Sequence, residues 1–127
     1  MVFFSCGKEP SGIPDVPVNF HISLDHPNMQ PLNTPGGSVE INGYGVAGLI
    51  IYRSAFGGYA AYDRCSTVNP EQKCAVVVDD SGLTATDPCS KSVFSLEDGT
   101  PQKAPARLPL KQYSVSISSN RVMSVIN

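Results

Sequence analysis

The residues able to do chemistry are few, and their spacing limits what they can do. Three cysteines lie in the body of the chain, Cys65, Cys74 and Cys89, and a fourth, Cys6, lies near its start. If the three form one disulfide, one thiol is left over, and spacing alone does not say which. Ser90-Lys91-Ser92 has the residue types of a serine–lysine nucleophile. That chemistry needs the amine held unprotonated against the hydroxyl. A lysine adjacent in sequence, on a loop, points into water instead. Asp79-Asp80, followed by Ser81-Gly82, offers two carboxylates for a cation, but the composition is that of a tight turn. Asp63, Glu71 and Asp87 make an acid–base pair only if the fold sets two of them at a working distance. His21 and His26 are the only histidines. Five residues apart, they face opposite sides of any continuous strand and read as surface residues. Gly43-x-Gly45 and Gly57-Gly58 precede no helical pattern, so neither is a phosphate cradle. The chain therefore offers no catalytic constellation and no resident metal set.

The elements that position these residues read as strands. Val18–Ile22, Ser38–Asn42, Tyr59–Tyr62, Ala75–Val78, Leu83–Thr86, Val93–Leu96, Gln112–Ser118 and Val122–Ile126 are short runs rich in Val, Ile, Tyr, Ser and Thr. Gly48–Tyr52 is denser in apolar residues, as a central strand is. Asp79–Gly82 and Ser119–Arg121 read as hairpin turns. Asp25–Asn28 and Glu97–Gly99 read as turns, and Leu32–Gly37 as loop. No stretch carries ten residues of helical periodicity free of breakers, and eleven Gly and eleven Pro interrupt the runs. The expectation is an all-β domain, an antiparallel sandwich or small barrel of short strands.

The length of 127 residues and 41% apolar content suit one domain with one core. A net charge of −2 and the absence of Trp argue against nucleic acid as partner. Met1-Val2-Phe3-Phe4-Ser5-Cys6-Gly7 resembles the end of a bacterial lipoprotein signal, with Cys6 as the lipidated residue. Residues 1–17 then form a signal remnant and a Pro/Gly-rich tether, and residues 18–127 the domain. Such a protein is exported and held by a lipid anchor facing periplasm or cell surface.

The C-terminal two thirds, Ala47–Asn127, carries a longer pattern. Cys65-Ser66-Thr67 and Cys74 are followed by Asp87-Pro88-Cys89-Ser90-Lys91-Ser92-Val93-Phe94, Asp98-Gly99, Pro105-Ala106 and Pro109-Leu110-Lys111-Gln112-Tyr113-Ser114-Val115. In order and spacing this resembles the Rieske-type [2Fe–2S] iron–sulfur domain, which implies its β fold with two cluster loops at one tip. In that family two Cys bind one iron and two His the other. Cys65 matches the first ligand Cys. Thr67 stands where the first ligand His belongs, Asp87 at the second ligand Cys, and Ser90 at the second His. Lys91 replaces a Gly. The resemblance also implies a disulfide between Cys74 and Cys89, the two further cysteines that pin the cluster loops together.

With three of four ligand positions changed, the expectation is a cluster-lacking, non-catalytic Rieske-like module. It would meet a protein partner through the tip loops Cys65–Pro70 and Asp87–Lys91. The other reading is an electron carrier holding a [2Fe–2S] cluster by altered ligation.

Overall fold

The computed structural model describes residues 12–127; the expected lipidation residue Cys6 lies outside them. Ten strands form: β1 (Asn19–Ser23), β2 (Ser38–Ile41), β3 (Leu49–Arg53), β4 (Tyr59–Asp63), β5 (Val77–Val78), β6 (Thr84–Thr86), β7 (Val93–Ser95), β8 (Pro101–Lys103), β9 (Gln112–Ile117) and β10 (Val122–Ile126). All pair antiparallel. A six-stranded sheet runs β1-β10-β9-β4-β3-β2, and a four-stranded sheet runs β5-β6-β7-β8. Among the described residues no helix is long and apolar enough to cross a membrane.

The dense apolar run in β3 has a direct cause: it is covered on both faces. Leu49 and Ile51 pack into a core with Phe20, Met29, Leu32, Tyr113, Met123 and Val125. Their neighbours Ile50 and Tyr52 pack into a second core with Tyr62, Val76, Ala85, Phe94, Leu96 and Leu110. Strand alternation sends successive side chains to opposite faces, so a strand between two cores must be apolar throughout. β4 adds Ala61 to the first core and Ala60 and Tyr62 to the second.

Three elements differ from the sequence reading: short 3₁₀ helices at Pro27–Asn33 and Pro70–Gln72, and the strand β8. Pro27–Asn33 forms a 3₁₀ helix where a turn and loop were expected, with the His26 ring accepting from Asn28 N–H. Its two prolines look like breakers, but a short 3₁₀ segment asks less of the backbone than an α-helix. β8 opens on Pro101, at the edge of its sheet, where a missing N–H does no harm. Just upstream of Val18, residues 13–16 already lie against the domain. Ile13 is buried, and Asp15 meets the buried ammonium of Lys111 at 3.3 Å. Asn127 Nδ2 donates to Asp15 at 2.9 Å and to the Val16 carbonyl at 2.8 Å.

Candidate functional site

Three loops meet at one end of the domain. The first leaves β4 after Asp63 and carries Cys65, Ser66, Thr67 and Cys74. The second joins β6 to β7 and carries Asp87, Cys89, Ser90, Lys91 and Ser92. The third runs from β8 to β9 through Pro105–Leu110. The Cys74–Cys89 disulfide, expected from the resemblance, joins the first two, with Cα atoms 6.3 Å apart. Its sequence separation of 15 corresponds to about 3 kcal/mol in the chain-entropy account.

Beside the disulfide sits a buried polar network centred on Asp87. One carboxylate oxygen accepts from the hydroxyls of Ser66 and Ser90, each at 2.6 Å, and the other from Cys89 N–H at 2.8 Å. Burial by itself raises the pKa of Asp87; these hydrogen bonds outweigh it and hold the carboxyl below its ordinary value. The Ser92 hydroxyl lies 3.0 Å from that of Ser90 and accepts from Ala106 N–H of the third loop at 2.9 Å. Thr67 donates its hydroxyl to the Leu108 carbonyl of that loop at 2.8 Å. Between the first and third loops, Thr67, Val68, Pro105, Arg107 and Leu108 line a cleft of ≈ 470 Å³.

Cys65 is fully buried and is the free cysteine of the described residues. Its sulfur lies 3.5 Å from the Pro70 carbonyl and 3.6 Å from that of Ser66. Burial, then the nearby Asp63 carboxylate, pushes its thiol up to about 11. The four positions Cys65, Thr67, Asp87 and Ser90 thus all fall on the tip loops, and Asp87 and Ser90 are directly bonded. The histidines are elsewhere: His21 bonds Ser124 and Asn19 on the β1–β10 face, and His26 caps the 3₁₀ helix.

Other candidates resolve into structure. Asp63, Asp87 and Glu71 form no carboxylate pair by hydrogen bonding. Asp63 is wholly buried and accepts from Val46, Ala47 and Cys65 N–H and from the Tyr113 hydroxyl. Glu71 is exposed. Gly45, at φ +65°, closes onto Asp63 so tightly that a Cβ would strike the carboxylate; it shapes a turn around an internal anion. Asp79 accepts from the Thr84 and Thr86 hydroxyls, as turn chemistry implies. Lys91 is exposed and adopts φ 67°, a glycine-like conformation at the position where the resemblance places Gly.

Two packed sheets with three tip loops, two of them joined by a disulfide, define a Rieske-like domain. No family model matches the sequence, and no curated protein matches it. Solved structures do. The chain is similar to the plasma-membrane Rieske protein PetC3 of the cyanobacterium Synechocystis PCC 6803, at 19% identity and TM-score 0.62, over 85% of this chain and 98% of that one. It is also similar to the ferredoxin of carbazole 1,9a-dioxygenase from Nocardioides aromaticivorans IC177, at 19% identity and TM-score 0.53, over 88% and 97%. At these identities the likeness is one of fold.

The sequence reading missed Ser66, Ser92 and the anchoring part played by Asp63. For Ser66 a signal existed: it precedes Thr67, a polar residue standing where a ligand type had been replaced.

Proposed function

We propose that this chain is a non-catalytic Rieske-like module of the cell envelope that holds no [2Fe–2S] cluster and binds a protein partner through its tip. One observation carries the reading: Asp87 and Ser90, at the positions of the second motif's ligands, bond to each other at 2.6 Å. A Rieske cluster takes two thiolates and two imidazoles. The four corresponding groups here are one thiol, one carboxylate and two hydroxyls, a donor set that does not fit it. The buried Cys65 also disfavours its thiolate at neutral pH. The residues of the tip satisfy one another, and that supports a scaffold kept for contact rather than for electron transfer.

The tip has the surface for contact. Lys73, Lys91, Lys103 and Arg107 are exposed on or beside the three loops. None is in an ion pair among the described residues. The apolar side chain of Leu108 is 42% exposed beside the cleft. In a chain of net charge −2, this end suits an acidic partner surface with an apolar patch. Export is supported by the disulfide, which persists in oxidising compartments. A lipid anchor at Cys6 completes the proposed placement.

The test is to purify the protein without oxygen and record its visible absorbance with total iron and sulfide. A colourless protein without iron is expected. A brown protein with equal iron and sulfide overturns the reading and makes the chain an electron carrier.

A further inference from the structure

We infer that reduction of the Cys74–Cys89 disulfide turns the tip into a site for one thiophilic divalent cation, held by both sulfurs and the Asp87 carboxylate. The two sulfurs and a carboxylate oxygen all lie within 4.8 Å of one another. In a tetrahedral site with metal–sulfur bonds of about 2.3 Å, two sulfurs stand roughly 3.8 Å apart. Breaking the disulfide lets them separate to that distance by side-chain rotation, and the loops that carry them need not move far.

The carboxylate is already arranged as a ligand. It accepts from the Ser66 and Ser90 hydroxyls through one oxygen and from Cys89 N–H through the other, which place it beside the two sulfurs. Hydrogen-bonded carboxylates of this kind are how metal sites orient their ligands. Cys89 is exposed and Cys74 half-buried, so reductant and cation both have access. The fourth position is left to water.

The chemistry balances. A phosphine supplies the two electrons and water the two protons: the Cys74–Cys89 bond breaks, two thiols form, and the phosphine leaves as its oxide carrying the water oxygen. On binding, the cation displaces both thiol protons to solvent. The oxidised tip has no free sulfur lone-pair set of this kind, so the disulfide itself excludes the metal.

The experiment uses the full chain with Cys6→Ser, reduced with a phosphine and titrated with cadmium. A thiolate-to-cadmium charge-transfer band saturating at one cadmium per chain is expected, and no band from the oxidised protein. Cys65→Ser keeps the band and Cys74→Ser removes it. Asp87→Asn weakens cadmium binding by about 10–100-fold or more, the loss typical of disturbing even an outer-shell partner. Cadmium-113 resonance of the unsubstituted site, which does not depend on any variant folding, should report two sulfur ligands. A reduced protein without the band, a band lost with Cys65→Ser, unchanged affinity in a folded Asp87→Asn, or a resonance of three or no sulfurs overturns the inference.

Discussion

The body of the domain and its tip each bury one carboxylate, and the protein solvates the two differently. Asp63, in the body, accepts from three backbone N–H groups and one tyrosine hydroxyl. Asp87, at the tip, accepts from two serine hydroxyls and one backbone N–H. Backbone donors cannot turn away, so Asp63 is part of the chain path itself. Hydroxyls rotate and can find other acceptors. The difference separates a carboxylate that builds the scaffold from one whose partners can be exchanged. Backbone strain follows the same division. Among the described residues, the non-glycine residues with positive φ are Asn69, Lys73 and Lys91 on the tip loops and Arg121 in the β9–β10 turn.

The sharpest way to break the comparison is Asp63→Asn. The amide offers one acceptor oxygen where two served four donors, and its own N–H₂ faces donors. Each buried group left unpaired costs about 1–3 kcal/mol, so a loss of roughly 3 kcal/mol or more in urea unfolding is expected. A loss below about 1 kcal/mol would erase the distinction between body and tip. Asp87→Asn should cost less, about 1–2 kcal/mol, because Ser66 and Ser90 can reorient. It also has a pH signature. A carboxyl with a depressed folded pKa stabilises above its unfolded value of about 3.9 and loses that contribution as pH falls below it. Stability of the unsubstituted protein should therefore drop on acidification below about pH 4, and Asp87→Asn should flatten that limb. An identical acid limb in both proteins would mean that the network does not hold Asp87 ionised. The smallest effect is a gain: Lys91→Gly relieves a left-handed residue and should stabilise by about 0.5–1 kcal/mol, read as a higher urea midpoint. A loss would show that the Lys91 side chain is held by contacts that the loop needs.

Much of the fold was legible because its strands obey simple alternation. The hairpin of Gln112–Ile117 and Val122–Ile126, the Asp79–Gly82 turn and the dense central strand all sit close to where composition placed them. The Rieske-like architecture was legible from the ordered motif between Cys65 and Val115. What sequence could not show is what replaces a lost ligand. Asp87 and Ser90 read as two isolated substitutions; three residues apart in the β6–β7 turn, they are brought together by local turn bonding that the matching of single positions overlooked. Asp63 was misleading for the opposite reason. Its partners Val46 and Tyr113 lie 17 and 50 residues away, so nothing local marked it as an internal anchor rather than a member of the tip.

The doubly covered strand pair β3–β4 has one more consequence. Leu49 and Ile51 line one core while Ile50 and Tyr52 line the other, so the two cores have a party wall instead of separate foundations. Neither can melt and leave the other its boundary, because the same peptide units would have to stay ordered with one face open to water. The six- and four-stranded sheets thereby share one boundary, a geometry that favours their unfolding together.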